Sequence, residues 1–328
     1  MMPMTNSTAR PAAAPTVKVT LGNFVRAETD TYFGKMVAAG GLGRFDHKRE
    51  LTPIDAQAVV RSNRDTLYST GVFDLDAGPV IVTMPDAGGR FMSLLAIDQD
   101  HYVLGTCYDA GPHVFARHGA GTRYIFLLVR AFIDPEDPAD VAAVHALQDA
   151  IHVSQFSPGR FEVPRWDQDS LAETRAIVNR LPGFDPGRAF GAREQVDPAC
   201  HLIGAARGWG ANPPRDATYV SGRATRNDGR TVHRLTVRDV PVDGFWSITV
   251  YNRDGYFEPN LRHAWSLNNV TARPDPDGGF TIQFGGCGKS VANCLPIVPG
   301  WNYTVRLYRP RPEILDGSWH FPEARPIG

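Results

Sequence analysis

The chain lacks any long apolar run. Its uninterrupted apolar stretches are short, such as Ile125–Val129, far from the ~20 residues a membrane-spanning helix needs. The opening from Met1 to Pro15 also lacks an apolar core of signal-peptide length. It reads as part of a disordered tail over residues 1–20, either native or left after removal of a leader. A cytoplasmic location and a periplasmic or secreted one therefore both stay open.

Excess charge of either sign is missing too. Lys and Arg number 34 against 35 Asp and Glu, for a net charge of −1, and they are scattered rather than blocked. That excludes the electrostatic footprint of a nucleic-acid or anionic-membrane binder. No Gly-x-Ser-x-Gly elbow is present, which argues against an α/β-hydrolase esterase. No phosphate-binding loop or dinucleotide fingerprint follows a strand, so no organic cofactor is expected. Cysteines number four. Cys107 and Cys200 are isolated, whereas Cys287 and Cys294 bracket six residues between apolar runs and either close a hairpin loop as a disulfide or remain thiols. Zinc would need two more ligands, and neither a local Cys-x-x-Cys nor the pair His113 and His118 supplies them. No metal is expected.

Turn formers are abundant. Gly (32) and Pro (26) recur at short spacing, which suits a β-rich chain better than a helical one. At 328 residues, with 42% apolar content, two cores are the natural expectation. The fold class is therefore mainly β (α+β), with two antiparallel β-sandwich or jelly-roll-like domains. The expected layout is an N-terminal domain over 21–156, a helical and irregular Gly/Pro-rich connection over 157–216, and a C-terminal sandwich over 217–328.

Residues 61–75 organise the first half. A knot of polar side chains, Asn63, Arg64, Asp65, Thr66 and Tyr68, runs directly into the apolar strand at Val72–Leu75. Buried polar groups must find partners or cost stability, so this stretch is the best candidate for a site wall. Before it, residues 21–39 predict a helix capped by Asn23, with Phe24, Val25, Tyr32, Phe33, Met36 and Val37 as its apolar stripe. After it, strands are expected at 80–84, 91–97 and 123–130, the last apolar enough to be covered on both faces. A helix is expected from Asp134, burying Val141, Val144, Leu147 and Ile151. One short helix, Ser170–Leu181, is expected within the connection. Strands with period-two alternation follow at 232–237, 245–252, 280–284 and 302–309, separated by Asp-Gly turns such as those ending at Gly229, Gly244, Gly255 and Gly278.

Blocks in both halves carry a resemblance. Ser62–Tyr68, Met84–Arg90, Asp100–Tyr102 and Val144–Asp149 in the first half, with Gly244–Tyr251, Asp254–Phe257, Ser266–Asn269, Asn293–Pro296, Arg306–Pro310 and Leu315–Trp319 in the second, run in one order from about residue 20 to 326. The chain resembles a bacterial two-domain family of paired domains of unknown function, twelve-fifty-four (N-terminal) and twelve-fourteen (C-terminal). The resemblance implies two β-sandwich-like domains in a homo-oligomer. It implies no reaction.

The candidate catalytic set is Arg64, Asp65, Tyr68 and His101. Arg64 would clamp a carboxylate or phosphate through paired hydrogen bonds, and Asp65, Tyr68 or His101 would move a proton if its surroundings shifted its pKa. Alternation along 98–102 puts Asp98 and Asp100 on one side and His101 on the other. The candidate substrate-binding set is Asn63, Tyr102, Trp246, Tyr251, Asn268 and Asn269. Alternation places Trp246, Ile248 and Val250 on a core face and Ser247, Thr249 and Tyr251 on the other, to line a pocket or face water. Trp209, Trp265, Trp301 and Trp319 offer flat surfaces that pack or stack on rings. Three functions fit: a hydrolase- or lyase-like enzyme acting on a small polar or anionic metabolite, a carbohydrate- or organic-acid-binding (lectin-like) protein without catalysis, and an oligomeric structural protein. An enzyme requires Arg64, Asp65 and Tyr68 to converge with His101 or Tyr251 on one pocket. A binder needs a tryptophan-rimmed pocket, and a scaffold needs the same residues buried in mutual hydrogen bonds.

Overall fold

Thr66–Asp74 and Tyr124–Phe132 pair antiparallel along their whole length in the computed structural model, which describes residues 15–57 and 59–327. They form the centre of the first domain. Its strands are β1 (Asp46–His47), β2 (Thr66–Asp74), β3 (Val80–Met84), β4 (Met92–Asp98), β5 (Val103–Cys107), β6 (Gly111–Phe115), β7 (Tyr124–Phe132) and β8 (His152–Ser154). A five-stranded sheet in the order β1-β2-β7-β4-β5 faces a three-stranded sheet, β6-β3-β8. Leu67, Phe73, Ile125, Leu127 and Val129 meet Val80 and Val82 in the core between them.

The opposite face of the five-stranded sheet is also covered. Val72, Phe126 and Leu128 lie under Phe33 of helix α1 (Phe24–Ala38). Every residue of β4 and β7 is consequently buried, which is why residues 123–130 read as continuously apolar rather than alternating. The layer over this face contains α1, α4 (Gln168–Val178) and α5 (Pro198–Arg207). Helices α2 (Arg117–Ala120), α3 (Pro138–Asp149) and the single turn α6 (Pro312–Leu315) lie elsewhere.

Several helical expectations need correction. Asn23 does occupy the N-cap of α1, but its side chain accepts from Thr20 N at 2.7 Å and gives no capping bond to the helix. The buried face of α1 includes Glu28, Thr29 and Asp30. Glu28 forms a two-pronged ion pair with Arg175 of α4, and Asp30 accepts from Gln99 and Trp166. Polar partners across the layer thus replace part of the expected apolar stripe. The third helix starts at Pro138, capped by Asp137, rather than at Asp134. The connection holds a second helix, α5, signalled by Asp197 at its N-cap and Pro198 at the first turn. Of the expected tail, residues 1–14 lie outside the described residues. Residues 15–20 depart from it, because Val17 donates to Arg165 O at 2.8 Å and Val19 is buried among α4 and α5.

The second domain comprises β9 (Ala217–Gly222), β10 (His233–Val237), β11 (Trp246–Tyr251), β12 (Ser266–Asn268), β13 (Phe280–Phe284), β14 (Cys294–Leu295), β15 (Asn302–Tyr308) and β16 (Arg325–Pro326). Two four-stranded sheets, β14-β13-β10-β16 and β12-β11-β15-β9, enclose Leu235, Trp246, Ile248, Ile282, Phe284, Trp301 and Val305. Cys287 and Cys294 form a disulfide. It does not close a hairpin: β14 runs parallel to β13, with Gln283 opposite Cys294. Among the described residues, no helix is long and apolar enough to cross a membrane.

Candidate functional site at the domain seam

The outer faces of β11 and β15 carry Ser247, Thr249, Tyr251, Asn302, Thr304, Arg306 and Tyr308, and all are buried. They face neither water nor the second domain's core. They meet Arg61, Ser62 and Asn63 of the first domain. Arg306 is the hub: it donates to Thr249 Oγ1 at 2.8 Å, to the Tyr251 hydroxyl at 2.7 Å and to the Arg61 carbonyl at 2.8 Å. The Tyr251 hydroxyl in turn donates a hydrogen bond to Ser62 O at 2.8 Å. Burial works against the charge of Arg306, but the facing oxygens of Tyr251, Tyr308 and Asp65 outweigh it and raise its pKa. Burial likewise raises the pKa of Tyr251, keeping it a neutral donor.

Arg61 adopts a left-handed backbone, φ 53°, uncommon for a residue with a Cβ. The conformation is held by its N–H on Gly255 O at 2.8 Å and by its guanidinium on Asn302 Oδ1 and Thr304 Oγ1. Beside this polar zone, Phe245 stacks on Tyr308 with centroids 4.3 Å apart, packed by Phe91 and Phe132. The seam is therefore part hydrogen-bond lattice and part aromatic core.

Residues 63–68 form a ridge with a pocket on either side. Asn63, Thr66 and Tyr68 line one groove, of about 540 Å³, with His47, Lys48 and Arg49. The Asn63 amide reaches Thr66 Oγ1, the Tyr68 hydroxyl and the Tyr308 hydroxyl, each at 3.0 Å. With only two hydrogens to share among three oxygens, it is saturated. The groove's cations are engaged as well, Lys48 with Asp46 and Arg49 with Asp149.

Arg64 and Asp65 line the other pocket, of about 320 Å³ between the domains, with Glu136, His263, Trp265 and Ser266. The Arg64 guanidinium lies 4.9 Å from the Trp265 ring centroid and 5.8 Å from that of Phe257. It donates to Thr52 O at 3.1 Å, one of its five N–H groups. Burial lowers its pKa, opposed by Glu136 and Asp65. Asp65 is 1% exposed. Its Oδ1 accepts from Ser266 Oγ at 3.0 Å, while its Oδ2 has no hydrogen-bond partner among the described residues. Asn268 also borders this pocket, its Oδ1 held by Val270 N, Thr271 N and Thr271 Oγ1.

The remaining candidates lie elsewhere. The strand ends at Asp98, so alternation does not continue to His101; a turn follows in which Asp98 Oδ1 accepts from Asp100 N and Tyr102 N, and His101 has φ 65°. Register places Met92 in line with Leu67 and Asp98 in line with Phe73, levels roughly 20 Å apart at ~3.3 Å per residue, so Asp65 and His101 lie at opposite ends of the sheet. His101 instead sits in the helical layer, against Trp209, His201 and Phe190, and accepts from Gly210 N at 2.9 Å. Burial drives its pKa down to about 3, and that of Asp98 up to about 6. Tyr102 stacks between His201 and Arg193 in the same layer. Trp246 belongs to the second core, and Asn269 caps β11 by accepting from Trp246 N. Of the four tryptophans singled out, Trp209 and Trp301 are packing residues, Trp265 lines the seam pocket and Trp319 lines a cleft in the second domain. Among the described residues, no group of three or more His, Cys, Asp or Glu is placed to hold a metal ion.

Sequence reasoning missed Arg306 as the hub. The signal was a charged residue in a strand whose whole non-core face is polar, beside a second strand, β11, of the same character.

Two family models match, each described as a protein of unknown function: DUF1254 over residues 42–120 and DUF1214 over residues 217–312. None of the curated proteins matches the chain. Among solved structures, the chain is similar to the VPA0106 protein from Vibrio parahaemolyticus, with a TM-score of 0.74 at 18% identity, covering 94% of this chain and 97% of that one. A weaker likeness, TM-score 0.48 at 12% identity, is to an uncharacterized protein from Burkholderia cenocepacia, covering 88% of this chain and 85% of that one. The first similarity extends the two-sandwich fold to a second protein and carries no function with it. The chain belongs to the two-domain family of unknown function that pairs an N-terminal DUF1254 domain with a C-terminal DUF1214 domain.

Proposed function

We propose that the protein binds a small polar metabolite carrying an anionic group in the pocket between its two domains. The observation that carries this reading is Arg64: a guanidinium within cation–π distance of Trp265 and Phe257, with one hydrogen bond to Thr52 O, lining an interdomain cavity. The rings lie close to the guanidinium while most of its N–H groups make no hydrogen bond among the described residues, which suits paired bonds to a carboxylate. Asp134 and Glu136 on the same pocket, against Arg64, Arg262 and His263, favour a ligand that also carries a cationic or hydrogen-bond-donating group, such as an amino acid or hydroxy acid.

Binding is favoured over hydrolase- or lyase-like turnover. Asp65 is enclosed and engaged by Ser266, Tyr68 opens on the other side of the ridge, and His101 lies in a different layer. Calorimetric titration of the full chain with a panel of amino acids and hydroxy acids tests the reading, alongside Arg64→Ala. Saturable binding lost in the variant is expected. Wild-type protein that takes up no member of the panel, or a variant that binds as well as wild type, would overturn it. The same panel incubated with the protein and assayed for product tests turnover, and sedimentation of the same sample tests association of copies.

A further inference from the structure

The sandwich of the second domain is open along one side. Strands β9 and β16 end their two sheets there. Thr218, Val220 and Gly222 pair with Leu307, Val305 and Tyr303, and those three partners point into the core. Even so, Val220 is 37% exposed. A cleft of about 500 Å³ reaches the core here, within the range of small-molecule sites, and Trp319 and Phe321 of the C-terminal segment form its far wall. Its floor is rigid. A Cβ on Gly222 would fall 1.9 Å from the Tyr303 ring, so the ring lies flat against β9 where only glycine fits, and the Tyr303 hydroxyl accepts from Ala324 N at 3.1 Å.

The rim is polar, with Thr218, Ser221, Thr225, His320, Glu323 and Arg223. Arg223 makes no hydrogen bond or ion pair among the described residues. Asp228, which shares a shallow surface depression with Arg223, is taken up by Arg230 N, Thr231 N and Thr231 Oγ1. Among the described residues, Glu323 is the one carboxylate on the cleft rim, so an anionic head has its place on the Arg223 side. An apolar, aromatic-floored cleft with an uncommitted guanidinium at its mouth matches a molecule that is apolar at one end and anionic at the other.

We propose that this cleft is a second ligand site, independent of the seam pocket, that binds an amphipathic organic anion such as a fatty or aryl-alkyl carboxylate. The apolar body lies between the sheets over Tyr303, Val305 and Leu307, and the carboxylate meets Arg223. The test is calorimetric titration of the full chain with decanoate and with decanol, which has the same body and no charge. One decanoate per chain is expected, bound at least tenfold more tightly than decanol. Arg223→Ala, at an exposed position, should bring decanoate to the affinity of decanol and leave decanol unchanged. Val220→Phe, which fills the cleft, should abolish both. Circular dichroism of each variant establishes that it is folded. Absence of saturable binding to wild type, equal affinity for the two probes, or binding unaffected by both variants would overturn the proposal. So would a dimer of the full chain that Val220→Phe dissociates, since the cleft would then be covered by a second copy.

Discussion

The Ser266 hydroxyl donates to Asp65 Oδ1 at 3.0 Å, joining side chains 201 residues apart across the two domains. Asp65 is buried, and its other carboxylate oxygen has no hydrogen-bond partner among the described residues. A buried carboxylate stripped of its one side-chain donor bears its desolvation uncompensated. Ser266→Ala is therefore expected to destabilise the protein by about 1–3 kcal/mol, measured by chemical denaturation. In an Asp65→Asn background the same change should cost much less, because no charge is left stranded. Equal losses in both backgrounds would mean that the hydroxyl and the carboxylate do not act together.

Arg306 is the seam's other buried charge. Its bonds to Thr249, Tyr251, Arg61 and Ser62 tie two strands, β11 and β15, to the 61–62 turn. Removing one member of a buried, hydrogen-bonded charge system typically costs ~3–5 kcal/mol. Arg306→Met should fall in that range, and because it breaks both bonds to the 61–62 turn across the seam, it should split unfolding into two transitions, one per sandwich. Arg306→Lys keeps the charge but cannot span four acceptors, so an intermediate loss is expected. A single unshifted transition for both variants, followed by tryptophan fluorescence and circular dichroism, would remove Arg306 as the tie.

Where the sequence was legible, one physical pattern dominated. Period-two alternation located β10, β11, β13 and β15, and unbroken apolarity identified β7 as covered on both faces. The site was less legible, because alternation says which face a side chain takes and not what covers that face. Thr249 and Tyr251 were correctly grouped, yet their partners, Arg306 and the carbonyl of Ser62, lie about 55 and 190 residues away in the chain. His101 was misgrouped with Asp65 for the same reason: β2 and β4 carry their polar ends at opposite ends of one sheet. Helix α1 was misread in part because burial of Glu28 and Asp30 depends on Arg175, Gln99 and Trp166, which no helical period can reveal.

The disulfide between Cys287 and Cys294 closes a short loop, the two residues being seven apart. Loop-closure entropy assigns a link of this size about 2.5 kcal/mol. The double variant Cys287→Ser/Cys294→Ser should lose about that much stability under oxidising conditions. Wild type in reductant should match it. Cys107 and Cys200 are free thiols, so thiol counting on the denatured, unreduced protein should find two; four would mean that the bond does not form.

Asp98 and His101 act on stability in opposite directions as pH changes. Burial raises the Asp98 carboxyl from its ordinary 3.8 to about 6, so the folded state holds that proton more tightly than the unfolded chain. Its contribution is complete below pH 3.8 and is lost as the pH rises through 6. Burial lowers His101 from 6.5 to about 3, so its contribution is complete above pH 6.5 and is lost as the pH falls toward 3. Between pH 4 and 6 the two slopes oppose each other, leaving wild type with a flattened profile from this pair. Asp98→Asn keeps an Oδ1 acceptor for Asp100 N and Tyr102 N but has no proton to lose. Relative to wild type it should gain stability as the pH rises from 4 to 6, by up to about 3 kcal/mol, and its own profile should rise more steeply because the His101 slope is no longer offset. Urea unfolding at half-unit pH intervals measures both quantities, and a difference between the two proteins that does not change over that range would rule out an elevated Asp98 carboxyl.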